Sequence, residues 1–137
     1  MGKIIAIDFG KKRCGIAITD ELQLIASPLK TIGPEELLGF LKDICAKDEI
    51  DEIVLGYPVN LDQSATHITG DVEKLHRQLN EKLEVPCQLY DERFTSKMAL
   101  DSLIQTGASK KIRKNKGLLD ETSAVLLLQS YMAAKSR

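Results

Sequence analysis

The sequence predicts an α/β domain, a mixed β-sheet with helices packed on it. Three observations carry this expectation. The first 32 residues hold apolar runs joined by short polar turns, the pattern of an antiparallel meander. Beyond them, strand-like runs alternate with stretches whose apolar residues recur at helical spacing. With 137 residues, 43% of them apolar, the chain is long enough to bury a core as one compact domain over residues 1–137.

The elements follow in order. Ile4 to Phe9 (IIAIDF) is a continuous apolar run broken by one acid, as expected of a buried central strand. Gly10 to Arg13 makes a polar turn, and Cys14 to Thr19 (CGIAIT) is the second strand. Asp20-Glu21 turns the chain again. Leu24 to Ile32 reads as a third strand, at an edge because it holds Pro28. Pro34 opens a helix with Leu37, Leu41, Ile44 and Cys45 on one face. Glu52 to Gly56 reads as a strand buried on both faces, and Tyr57 to Thr66 as a polar loop. A helix from about Ile68 carries Val72, Leu75, Leu79 and Leu83 in register, and Pro86 to Tyr90 is the fifth strand. Thr95 or Ser96 can cap a helix bearing Met98, Leu100, Leu103 and Ile104, which Gly107 ends. Residues 108–117 are basic and read as a mobile loop. A last helix starts at Asp120 and is apolar over a wide arc, with Ala124, Val125, Leu127, Leu128, Tyr131 and Met132. The order is β-β-β-α-β-α-β-α-α, a meander followed by strand–helix crossovers.

Composition excludes several classes. No apolar run approaches the ~20 residues that span a bilayer, and no charged leader precedes the first strand. The expected compartment is the cytoplasm, with no membrane partner. Cys14, Cys45 and Cys87 match no zinc or redox spacing and read as small buried hydrophobes. Net charge is −1, so the distribution matters more than the sum. Lys110, Lys111, Arg113, Lys114 and Lys116 crowd a short stretch without an acid, whereas Asp43 to Glu52 is acid-rich. A local basic patch can grip a polyanion even on a neutral protein.

Three groups of acids carry the chemistry. Asp8 lies in a buried run, where a carboxylate is costly unless paired or bound to a cation. At the end of a central strand it can reach the sheet edge. Its competing role is to cap its own turn. Asp91-Glu92-Arg93 follows the fifth strand. Adjacent strand residues point to opposite faces, so at most one of the two acids shares a site with Asp8. Arg93 can neutralise the other or contact a phosphate; an ordinary charged loop is the alternative. Asp120-Glu121 would start the last helix, where acids also serve as caps and dipole partners. Asp120 precedes Ala124 and Leu128 by one and two turns; Glu121 competes through Val125 and Leu128. Three convergent carboxylates make a hard oxygen site suited to Mg²⁺ or Mn²⁺. Two such ions can support phosphodiester hydrolysis, with the basic loop on the phosphate backbone. His67 and His76 are not needed for this chemistry.

Four motifs in order resemble one family. DFGKKRCGIAITD (Asp8–Asp20), GYPVNLD (Gly56–Asp62), DERFTS (Asp91–Ser96) and the basic stretch into LLDETSA (Leu118–Ala124) are similar to the YqgF (RuvX) family over nearly the whole chain. Departures fall in two motifs: Gln63 follows Asp62 where the family usually has glycine, and Glu121-Thr122 stand where small residues usually follow the last acid. The resemblance implies an RNase H-like fold with a five-stranded mixed sheet of order 3-2-1-4-5. It implies a metal-dependent nuclease trimming the 5′ end of precursor 16S rRNA, with Asp8, Glu92 and Asp120 as catalytic metal ligands. Arg13, with the basic residues before Asp120, would face nucleic acid.

Three other readings compete. A Holliday junction resolvase would use the same acids on four-way DNA, and would need a dimer; the chain is otherwise expected as a monomer or weak homodimer. An actin-like ATPase shares the Asp-x-Gly strand turn but needs two such domains. A non-catalytic RNA-binding ribosome-assembly factor would use the acids only as caps.

Overall fold

The computed structural model describes residues 2–57, 69–91 and 116–135, with side chains at 2–57, 70–91 and 122–135. Its strands are β1 (Lys3–Asp8), β2 (Cys14–Thr19), β3 (Ala26–Ile32), β4 (Ile50–Tyr57) and β5 (Cys87–Asp91). Its helices are α1 (Pro34–Lys47), α2 (Thr69–Lys82) and α3 (Lys116–Lys135). The sheet order is β3-β2-β1-β4-β5, as the resemblance implied. The meander β1-β2-β3 is antiparallel, and β4 and β5 join parallel to β1 through the α1 and α2 crossovers.

Strand alternation divides the core into two layers. Ile5, Ile7, Ile16, Ile53 and Leu55 face Leu37 and Leu41 of α1 and Val72, Leu75 and Leu79 of α2. Ile4, Ala6, Ala17 and Val54 face Ala124, Leu127 and Leu128 of α3. The central strands are thus covered on both faces, which is why they read as unbroken apolar runs. The cysteines fit that packing: Cys14 and Cys87 are buried, Cys45 is half-buried, and all three are free thiols.

Two register shifts shape the sheet. Ile16 pairs with Lys30 but Ala17 with Pro28, so β3 carries one extra residue, Leu29. The bulge and the edge position together accommodate a proline that cannot donate to a ladder. On the other side, Lys3 pairs with Ile50 and Ile4 with Glu52, leaving Asp51 extra in β4. There the Ile4 N–H donates instead to Thr19 Oγ1 at 2.8 Å, which satisfies a buried donor.

Local chemistry explains the helices. Pro34 fills the first turn of α1 with Glu35 and Glu36 beside it, and Lys47 lies in the last turn. Helix α2 is tied to the start of β5 by Asn80, whose Oδ1 accepts from Cys87 N at 2.9 Å. His76 Nε2 lies 2.8 Å from Cys87 O, so this histidine anchors a strand.

Several expected boundaries move: the fourth strand runs Ile50–Tyr57, not Glu52–Gly56, and the fifth Cys87–Asp91, not Pro86–Tyr90. The third strand begins at Ala26, not Leu24. The reason is Asp20, whose Oδ1 accepts the N–H groups of Leu24 and Ile25, both at 2.8 Å, and so withdraws them from strand pairing. The last helix begins at Lys116, not Asp120, so residues 116 and 117 are helical rather than loop. The expected polar loop beyond Tyr57 lies outside the described residues. So do the helix expected after Thr95 and residues 108–115 of the expected basic loop.

Candidate metal and nucleic-acid site

Asp8 is the last residue of β1 and is half-buried. It alternates with Ile4 and Ala6, so it belongs to the sheet face that α3 covers. Its partner in β2 is Gly15. On β4, Leu55 pairs with Ile7, and Gly56 follows on the α3-facing side. Neither neighbouring strand therefore places a side chain beside Asp8 on that face. The turn that follows is tight: a Cβ on Gly10 would stand 2.6 Å from the Arg13 carbonyl oxygen, so only glycine fits.

Helix α3 starts toward this end and runs away from it. At its close, the Tyr131 hydroxyl and the Lys135 ammonium both donate to the Glu52 carboxylate at the start of β4. Met132 and Lys135 stand beside Ile4 at the start of β1. The first turns of the helix consequently lie toward the ends of the strands, where Asp8 sits. Position 120 is one full turn inside α3, so its backbone is not the cap that a helix-starting acid would be. The side chains of Asp120 and Glu121 lie outside the described residues.

The two acids after β5 separate by face. Tyr90 faces α3: its hydroxyl lies 2.9 Å from Ser130 Oγ, and its ring meets Tyr131 edge-on at 5.5 Å. Asp91, one residue on, pairs with Tyr57 and falls on the opposite face, with Cys87. Asp91 and Asp8 thus belong to different sides of the sheet. Glu92 and Arg93 lie outside the described residues, as do Lys110, Lys111, Arg113 and Lys114.

Arg13 is half-buried at the end of the turn after Asp8. Lys11 and Lys12 are exposed in the same turn. Sequence reasoning passed over these two lysines as turn residues, although their adjacency to Asp8 was a usable signal. Among the described residues, no three His, Cys, Asp or Glu side chains converge to hold a metal ion. Of the expected ligand set, Asp8 is the side chain the structure describes, and a carboxylate at a strand end is a hard oxygen ligand.

A family model described as "RuvX: Holliday junction resolvase" matches residues 2–134. The chain belongs to the RuvX family. Relatives of this RuvX chain are similar along their whole length. One from Flavobacterium psychrophilum is 42% identical over 136 residues, covering 98% of this chain and 99% of its own. One from Bacteroides thetaiotaomicron is 41% identical with the same coverage. Both carry the name "Putative pre-16S rRNA nuclease". Among solved structures, the Fowlpox virus resolvase bound to Holliday junction DNA superposes with a TM-score of 0.63 at 14% identity, over 98% of this chain and 99% of that one. T. thermophilus RuvC bound to a Holliday junction gives 0.57, also at 14% identity, over 99% and 96%. At that identity the likeness establishes the RNase H-like fold of this RuvX chain.

Proposed function

We propose that this RuvX-family chain is a metal-dependent endonuclease that trims the 5′ end of precursor 16S rRNA. The observation that carries the reading is Asp8, placed at the end of the central strand between glycines, on the face toward which α3 starts. Full-length relatives named as pre-16S rRNA nucleases at 42% and 41% identity support the substrate.

Asp8, Glu92 and Asp120 would hold Mg²⁺ or Mn²⁺. Glu92 is favoured over Asp91 because Asp91 belongs to the face opposite Asp8. Asp120 is favoured over Glu121 because, at about 100° per residue, it lies nearer the centre of the arc set by Ala124, Leu127 and Leu128. Bound divalent ions supply charge stabilisation at the phosphoryl oxygens and a more acidic water. The protein's part is to fix the carboxylates and hold the strand. Arg13, Arg93, Lys110, Lys111, Arg113 and Lys114 would bind backbone phosphates, and exposed Lys11 and Lys12 extend that set beside Asp8.

The proposed setting is a cytoplasmic monomer or weak homodimer acting as one domain. No described helix is long and apolar enough to cross a membrane. The second reading, resolution of four-way DNA, draws on the family description. The test presents a defined precursor 16S rRNA fragment and a four-way DNA junction side by side, with Mg²⁺ or Mn²⁺. Cleavage at the RNA 5′ end with the junction intact supports the proposal. Paired symmetrical cuts in the junction with the RNA intact would replace it.

A further inference from the structure

The end of the sheet opposite Asp8 presents a feature that the nuclease site does not use. The β2–β3 connection exposes three large apolar side chains within four residues: Leu22 at 64%, Leu24 at 70% and Ile25 at 66%. Contiguous apolar exposure on that scale marks interaction surfaces. The loop is also held in place. Asp20 accepts from Leu24 and Ile25 through Oδ1, and from Leu22 N at 3.3 Å through Oδ2. Gln23 adopts φ 56°, a left-handed conformation unusual for a residue with a side chain. Its Nε2 is fixed by Gly2 O at 2.6 Å and Asp51 Oδ2 at 2.9 Å. Strained backbone pinned by side chains that hold apolar groups outward is a preorganised surface.

Beside the loop lies a cleft of about 230 Å³, lined by Ile4, Leu22, Gln23, Met132 and Lys135. That is below the roughly 300 Å³ at which small-molecule sites begin, so it suits one inserted side chain better than a cofactor. The surrounding charge selects the occupant. Lys3 is paired with Asp48 at 3.1 Å and Lys135 with Glu52, so both of these cations are already neutralised. Glu21, Glu49 and Asp51 remain exposed around the apolar tip. Nucleic acid and anionic lipid surfaces are repelled by such a rim. A second copy meeting it face to face would oppose like charges.

We propose that the Leu22–Ile25 loop and its cleft dock a polypeptide segment in which Lys or Arg side chains alternate with large apolar ones. One apolar side chain enters the cleft, its neighbours pack on Leu24 and Ile25, and the basic groups meet Glu21, Glu49 and Asp51. The surface lies at the opposite end of β1 from Asp8, so a partner held there leaves the nuclease site open.

The experiment titrates isotope-labelled full-length protein with a synthetic peptide of alternating Arg and Leu around one Trp, against the same peptide with Glu for Arg. The basic peptide should shift amides at 20–25, 48–52 and 132–135, and the acidic peptide should not. Leu24→Ser/Ile25→Ser should weaken binding about 10-fold or more, given the apolar area removed. Asp51→Asn/Glu49→Gln should weaken it in a salt-dependent way. These substituted residues are exposed, so the variants should fold and cleave RNA as the wild type does. Absent binding, equal binding by the variants, or shifts centred on the Asp8 end would overturn the proposal. So would a wild-type dimer in sedimentation that Leu24→Ser/Ile25→Ser dissolves, which would assign the surface to a second copy.

Discussion

Single side chains show how polar groups are placed in this molecule. Asp20 is held below its ordinary value of 3.8, first by the N–H of Ile25, then by that of Leu24. A folded-state value below the unfolded one means that the ionised carboxylate favours the folded loop. The contribution is present above about pH 4 and is lost as pH falls through the lowered value. NMR from pH 7 to pH 2 should therefore show the 20–25 loop losing its amide dispersion before the sheet does. Asp20→Ala should produce that loosened loop already at pH 7; an unchanged loop would contradict the assignment. Glu52 is the buried acid among the described residues, only 6% exposed, and it accepts from Tyr131 and Lys135. Burial, then Glu52, raises the Tyr131 hydroxyl well above its ordinary range, so it stays protonated and donating. Tyr131→Phe should cost roughly 1–2 kcal/mol in urea denaturation by leaving a buried carboxylate short of a donor. No loss would mean that Lys135 alone satisfies it.

At the scale of elements, the covered face of α3 carries the second core layer and sets the helix's first turns toward the Asp8 end. Leu127→Ala, at a fully buried position in the cluster with Ile4, Ala6, Ala17 and Val54, should cost about 2–5 kcal/mol. A loss under about 1 kcal/mol would place α3 outside the core. The elements were legible wherever one signal dominated. Continuous apolar runs marked β1, β2 and β4; helical spacing marked α1 and α2; Pro28 placed β3 at an edge. The failures came where a side chain competed with the backbone. Asp20 captured the amides of Leu24 and Ile25, so a run that reads as strand turns outward. The start of α3 at Lys116 was hidden because lysine and glycine next to a basic stretch look like loop. The candidate site was legible in part. Asp8 and the turn behind it stood out as an acid before a glycine-punctuated break. The separation of Asp91 from the Asp8 face needed the observed pairing, because the identity of two adjacent acids carries no face.

Among the described residues, charge is unevenly placed along the sheet. Lys11, Lys12 and Arg13 cluster at the Asp8 end, while Glu49 and Asp51 stand exposed at the other, where Lys3 pairs with Asp48 and Lys135 with Glu52. The net charge of −1 conceals this division. Nucleic acid bound at the Asp8 end should therefore meet the turn lysines. Lys11→Ala/Lys12→Ala should weaken precursor rRNA binding and lower the slope of log affinity against log salt by about 1 for each phosphate no longer neutralised. Filter binding at salt concentrations from roughly 50 to 200 mM, where the effect is large, reads this directly. An unchanged slope would remove the turn from the RNA path.

The central claim is that Asp8 anchors a metal site that cuts RNA. Its most direct measurement is Mg²⁺-dependent cleavage of a precursor 16S rRNA fragment by wild type and Asp8→Asn, with RNA affinity and urea stability measured on the same preparations. The substitution keeps the side chain's size and removes its charge. The account predicts that cleavage falls by about 100-fold or more, on the scale of losing a preorganised electrostatic group, while RNA affinity and folding are largely kept. Cleavage by highly purified Asp8→Asn at the wild-type rate would contradict it.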